Sequence, residues 1–212
     1  MALKSRETPM SNGGLTFRKR GADNKKKVLI YGQDGSGKST YAEKYCNDHG
    51  LNPVVLDIED TNYTDLPMLN TFDLSTDVKA YRFMKQVLDE IKETDFDTII
   101  IDGVDSLIES FISNAGGLKC YADRSKTFIR FIKDCLKTNK HLIFVGQSPV
   151  DLDYYKGTDT KPNACIVKLN AMVNEKYRVG DKYQVETVKY RVYQGETEKE
   201  WKCVLIVMDL NV

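Results

Sequence analysis

Several features that would place a chain in a membrane, outside the cell or around a metal are scarce or missing in this sequence. No apolar run approaches the ~18 residues that a membrane-crossing helix needs. The opening Met-Ala-Leu-Lys-Ser-Arg-Glu lacks the apolar centre of a secretory signal, so neither a membrane partner nor export is expected. The five cysteines (46, 120, 135, 165 and 203) are odd in number and form no C-x-x-C pair. That argues against a disulfide frame or a zinc ribbon and predicts reduced, mostly buried thiols in a cytoplasmic protein. His49 and His141 are far apart and have no ligand-like neighbours, so both are expected to be structural. There is no internal repeat and no low-complexity segment.

What is present suits one α/β domain, with room for a small appendage, in 212 residues. The composition is 41% hydrophobic and 29% charged, and the formal net charge of zero hides an asymmetry. Residues 1–27 hold eight basic side chains (Lys4, Arg6, Arg18, Lys19, Arg20, Lys25, Lys26 and Lys27) against Glu7 and Asp23. A basic arm over 1–25 ahead of an acidic domain over 26–212 is therefore expected. The arm is either a mobile tail able to touch nucleic acid or a solvated tail that aids solubility.

Behind the apolar run Val28-Leu29-Ile30 stands YGQDGSGKST, residues 31–40. Its spacing is that of a phosphate-binding P-loop: Gly32, then Gln33, Asp34, Gly35 and Ser36, then Gly37, Lys38, Ser39 and Thr40. The glycines let successive N–H groups converge on phosphate oxygens, and Lys38 can reach the β- and γ-phosphates. The Ser39 hydroxyl can ligate Mg²⁺, and the helix beginning here adds its positive end. These residues predict binding of a nucleoside triphosphate with Mg²⁺.

The order of elements is legible from periodicity. Strands are expected at 28–31, 54–58, in DTIIID (97–102) and in HLIFVGQ (141–147). Helices are expected from about 38 to 49, stopped by Gly50, and after a possible N-cap at Asp77, with apolar positions 81, 84, 88 and 91. A third is expected from about 125 to 138, with Phe128, Ile129, Ile132, Cys135 and Leu136 inward. Beyond it, two hairpin strands around Gly180-Asp181 and a third in WKCVLIVMDL predict an antiparallel extension of a parallel sheet.

In open α/β sheets the working residues gather at the carboxyl ends of the strands. Asp102, after Ile99-Ile100-Ile101, is placed to hold the water shell of Mg²⁺ opposite Ser39. Asp57 and Glu59 share a face at the end of the second strand, where one can activate water and the other be structural. Gln147, after the fourth strand, can hydrogen-bond a γ-phosphate and report on it.

Taken together, the P-loop, VVLDIED, TIIIDGVDSL and LIFVGQ resemble the RecA-like recombinase core in order and rough spacing. The resemblance spans about 26–208, and the P-loop is its one motif specific enough to stand alone. It implies an α/β fold with a mostly parallel central sheet flanked by helices. It also implies that Glu59 is the catalytic carboxylate, Asp102 the metal-site aspartate and Gln147 the γ-phosphate sensor. The family carries a Lys-x-Lys or Lys-x-Arg pair that reaches a neighbour's ATP, and ETVKYRVY supplies Lys189 and Arg191. A homo-oligomer with ATP at its subunit interfaces follows from that pair.

The small size resembles phage-encoded RecA-like ATPases of recombination and single-strand annealing. This implies single-stranded DNA as partner, a single-strand-binding protein as a further one, and the bacterial host cytoplasm as location. In contrast to cellular recombinases, neither a separate N-terminal helical domain nor a C-terminal DNA-binding domain is expected from this sequence. Such proteins bind single strands through two loops. The matching stretches here are SNAGGLKCYADRSK, with Lys119, Tyr121 and Arg124, and SPVDLDYYKGTDTKPN, with Tyr154, Tyr155 and Lys156. The alternatives are a nucleotide-switched clamp or helicase-loader-like protein with little turnover and, further off, a small-molecule kinase. Against the kinase, 125–165 contains Arg130 as its sole arginine. TNKHL lacks the aspartate of a guanine-reading motif, which excludes a GTPase.

Overall fold

The computed structural model describes residues 25–61, 63–70, 78–111, 117–147, 163–180 and 184–190, with two short strands before them. Those strands, β1 (Ser11–Asn12) and β2 (Leu15–Thr16), pair antiparallel within the segment read as the basic arm. They belong to a compact unit formed by Met1–Asn24 and Val192–Lys199, whereas Lys25–Arg191 with Glu200–Val212 form the other unit.

The larger unit is built on strands rich in β-branched and other apolar residues. These are β3 (Lys27–Gly32), β4 (Pro53–Asp57), β5 (Met68–Asn70), β6 (Thr98–Asp102), β7 (His141–Gly146), β8 (Glu175–Val179) and β9 (Val185–Tyr190). They form one sheet in the order β5-β4-β6-β7-β3-β8-β9. Every neighbouring pair is parallel except β8 with β9. The strands β4, β6, β7 and β3 carry apolar residues on both faces because helices cover both. On one face α1 (Lys38–His49) packs Tyr41, Ala42, Tyr45 and Cys46 against Val28, Ile30, Val55, Ile100 and Ile143. The other face is covered by α2 (Val78–Lys92), α3 (Val104–Ser110), α4 (Leu118–Lys137) and α5 (Ala164–Met172) over Leu29, Leu56, Ile99, Ile101, Leu142 and Phe144.

The fold class is as expected: α/β, with a mostly parallel sheet, flanking helices and an antiparallel β9. Gly50 ends α1 in the left-handed conformation (φ 61°), and the backbone N–H groups of Gly50 and Leu51 cap its last carbonyls. On α2, Tyr81, Met84, Leu88 and Ile91 are buried as the periodicity predicts.

Elsewhere the structure corrects the reading. On α4 the buried positions are Phe128, Phe131, Ile132 and Cys135, while Leu136 is 38% exposed. Phe131 and Ile132 lie three and four residues after Phe128, so the stripe passes through them and leaves Leu136 to solvent. This helix begins at Leu118, which puts Lys119, Tyr121 and Arg124 on a helix rather than in a loop. The elements β5, α3 and α5 were not foreseen. α5 starts after Asn163, whose side chain accepts the Cys165 N–H at 2.9 Å as an N-cap. The strand expected in 201–210 lies outside the described residues.

Candidate nucleotide site

Three glycines shape the loop between β3 and α1. A Cβ on Gly32 would lie 2.1 Å from the Val179 carbonyl oxygen of β8 and 2.9 Å from Ser36 Oγ, so only glycine fits there. Gly35 and Gly37 have φ of 70° and 89°, values that non-glycine residues rarely adopt. The first turn of α1 has no acidic residue and no side-chain cap, which leaves its N–H groups to an anion. Lys38 is buried and donates its ammonium to the Gln33 carbonyl at 2.8 Å. The buried Ser36 hydroxyl has no hydrogen-bond partner among the described residues. A cradle that a Cβ would fill, an orphaned buried hydroxyl and a cation folded back on its own loop fit a polyphosphate. Gln33, Asp34, Gly35 and Thr40 lie at its exposed rim.

Asp102, the last residue of β6, faces the loop from two strands away, with β7 between β6 and β3. Its Oδ2 accepts hydrogen bonds from Ser39 Oγ and Tyr63 Oη, both at 2.7 Å. Burial pushes the Asp102 carboxyl above the usual carboxylate range. The Tyr63 and Ser39 hydroxyls pull it back, while the charges of Glu59 and Asp57 push it up further. Burial and the Asp102 charge also raise the Tyr63 phenol well above its ordinary value. Among the described residues no group of three His, Cys, Asp or Glu side chains is placed to hold a metal. One hydroxyl and one carboxylate instead fit Mg²⁺, which takes few protein ligands and completes its shell with water and phosphate.

β4 delivers the next carboxylate. Asp57 is fully buried and its Oδ1 accepts the Glu59 N–H at 3.2 Å, which makes it a backbone support for the residue beyond. The Ile58 N–H donates to the Asp102 carbonyl at 3.0 Å, tying this turn to β6. Each Glu59 oxygen has its own donor: Ser106 Oγ at 2.7 Å from Oε1 and Gln147 Nε2 at 3.1 Å from Oε2. Gly103 makes room for this carboxylate, since a Cβ there would lie 2.6 Å from Glu59 Cγ. Gln147 is held in turn by Asp105, whose Oδ2 accepts its backbone N–H at 2.7 Å. The end of the sheet thus brings Lys38, Ser39, Glu59, Asp102 and Gln147 together.

The residues assigned to DNA are placed less uniformly. Lys119 and Tyr121 are exposed near the start of α4. Arg124 is mostly covered: its guanidinium pairs with Glu109 at 2.5 Å and lies 5.0 Å from the Tyr121 ring. Tyr154, Tyr155, Lys156 and Arg191 lie outside the described residues. The backbone of Lys189 pairs with that of Lys176 across β8 and β9. Both histidines are engaged structurally. The His49 ring stacks on Tyr45, and His141 Nδ1 accepts the Lys26 N–H at 2.9 Å.

Sequence reasoning missed Tyr63, Gly103, Asp105 and Ser106. A glycine directly after the strand-ending aspartate was the available signal for Gly103. For Tyr63, which follows an irregular polar stretch, there was none.

This loop, with an aspartate two strands away and a strand between them, has the layout of the RecA-like P-loop fold. A family model described as AAA domain matches residues 24–205, and the chain belongs to that family. No curated protein matches it. Among solved structures it is similar to a KaiC-like protein, PH0186, from the hyperthermophilic archaeon Pyrococcus horikoshii OT3. That pair shares 13% identity at a TM-score of 0.51 over 77% of this chain and 78% of the other, which bears on the fold. It is also similar to the flagellar accessory protein FlaH from Methanocaldococcus jannaschii, at 15% identity and a TM-score of 0.45 over 77% of each chain.

Proposed function

We propose that this chain binds Mg·ATP, hydrolyses it, and couples the cycle to single-stranded DNA in phage-type homologous recombination or strand annealing in a bacterial cytoplasm. The observation that carries the ATPase reading is the side-by-side delivery of Glu59, Asp102 and Gln147 by the neighbouring strands β4, β6 and β7, next to the P-loop of β3. In this reading Lys38 leaves the Gln33 carbonyl for the phosphates, and the loop and α1 N–H groups hold the phosphate oxygens. Ser39 and Asp102 would hold Mg²⁺, which when bound offsets charge on the phosphate oxygens. Glu59 takes a proton from the attacking water, and Gln147 exchanges its bond to Glu59 for one to the γ-phosphate. Lys189 and Arg191 serve a neighbouring subunit's ATP. The ATPase domain runs over 26–212 behind a basic arm at 1–25.

The DNA part is supported by exposed Lys119 and Tyr121 and by the resemblance in motif order. Tyr154, Tyr155 and Lys156 are proposed as its second contact. Arg124, committed to Glu109, joins only if that pair opens.

One observation favours a second reading, a nucleotide-switched clamp with little turnover: both oxygens of Glu59 are already engaged. Phosphate release from ATP, measured with and without single-stranded DNA, tests both. DNA-stimulated turnover supports the first reading. Negligible turnover in both conditions, with DNA binding that depends on the nucleotide, supports the second. Absence of ATP binding would refute both.

A further inference from the structure

We propose that Tyr63 is a positioning residue for the divalent cation, acting through Asp102; this rests on the nucleotide-site reading above. The segment after β4 makes two opposite deliveries within five residues. Glu59 goes out to Ser106 and Gln147, the backbone then turns through a left-handed Asp60 (φ 54°), and Tyr63 comes back to Asp102. The Tyr63 ring packs against the core cluster on the α1 side of the sheet, and its N–H donates to the Thr61 carbonyl at 3.1 Å. Its hydroxyl is therefore aimed by the core, not by solvent.

Ser39 and Tyr63 both donate to the same oxygen, Oδ2 of Asp102. Two donors on one oxygen fix the plane of the carboxylate. One donor would leave it free to swing about that single bond. Ser39 comes from α1, which follows the phosphate loop, whereas Tyr63 comes from β4's outgoing segment. Tyr63 thus holds Asp102 independently of what the phosphate loop does. Groups that orient a metal-binding side chain contribute ~10–100-fold to metal affinity.

The experiment uses the full chain and a fluorescent ATP analogue. Affinity is measured in EDTA, and MgCl₂ is then titrated in to find the midpoint of the Mg²⁺-dependent gain. Tyr63→Phe keeps the ring and loses the hydroxyl. Its metal-free affinity should match the wild type and its melting temperature fall by no more than a few degrees, from the lost donor to Asp102, while its Mg²⁺ midpoint rises ~10-fold or more. In an Asp102→Asn background the same change should add nothing, because the residue through which it acts is gone. An unchanged midpoint overturns the inference. So does a lowered one, which would make Tyr63 an obstruction to the cation, and so does an additive effect in the double variant. If the wild type shows no Mg²⁺-dependent gain at all, the nucleotide-site reading itself has failed.

Discussion

Asp102 shows, at the scale of one residue, what the site costs the fold. A buried carboxylate beside Glu59 and Asp57 titrates above its ordinary range, so the folded chain binds that proton better than the unfolded one. Its contribution to stability therefore falls as pH rises through that window. Asp102→Asn removes the charge and still offers an oxygen to Ser39 and Tyr63. The variant should melt at the same temperature or higher without ligand, yet its Mg²⁺ midpoint for nucleotide binding should rise well above that of the wild type; a lower melting temperature would mean the charge stabilises the fold. Glu59 makes a complementary case. In Glu59→Gln, Gln147 can turn its own amide to present an oxygen, so the local contacts survive while the proton acceptor is lost. Steady-state hydrolysis should drop ~10²–10⁴-fold with ATP affinity retained. Asp57→Asn should instead act on stability, because Asp57 is buried and supports the Glu59 N–H. Should Asp57→Asn stop hydrolysis while Glu59→Gln does not, the two carboxylates are assigned the wrong way round.

At the scale of elements, the turn from β6 into α3 decides whether Glu59 has a place. Gly103 has φ 89°, where a side chain costs ~1–2 kcal/mol, and its added Cβ would meet Glu59 Cγ. Glu59 can swing aside only by giving up its contacts, and Ile58 Cβ would lie 3.2 Å from the new atom, so Gly103→Ala should fold with stability lowered by at least that amount. Glu59 would be driven off Ser106 and Gln147, and hydrolysis should fall ~10²-fold or more while ATP binding persists. Chemical denaturation and parallel binding and turnover assays check the three parts separately. This turn also marks how far the sequence could be read. Inner strands announce themselves because burial on both faces demands an unbroken apolar run, and the P-loop because its backbone demands glycine at fixed positions. The second set of contacts was hidden because it depends on which strands are neighbours. Ser106 is one polar residue of a seven-residue helix until β4 is known to lie beside β6. α5 was missed for a local reason, as its single cap, Asn163, closes a long polar stretch and reads as part of it. Two glycines before Lys119 and Tyr121 suggest a loop, yet Gly117 (φ 64°) begins α4 instead of interrupting it.

At the scale of the whole molecule, the proposal requires more than one chain. The loop supplies Lys38 and, with Asp102, a place for Mg²⁺, but charge building on the γ-phosphate during transfer needs further cation. An arginine supplied in trans is worth ~10³–10⁵ in rate in P-loop machinery. If Lys189 and Arg191 play that part, each subunit completes its neighbour's site, and activity per chain should rise with protein concentration. Single-stranded DNA that gathers subunits should raise it too, and salt should weaken that effect because phosphate contacts release counterions. Mixing variants isolates the interface from these other influences. Lys38→Ala subunits bind no ATP but carry an intact Arg191. Arg191→Ala subunits bind ATP but cannot complete a neighbour. Alone, each should be inactive. Mixed in equal amounts, they form some interfaces that join an intact ATP site to an intact Arg191, and part of the activity should return. The recovery should depend on total protein concentration as assembly does. Activity per chain that is independent of concentration, with no recovery on mixing, would describe a self-sufficient monomer, and Arg191 would then have no neighbour to serve.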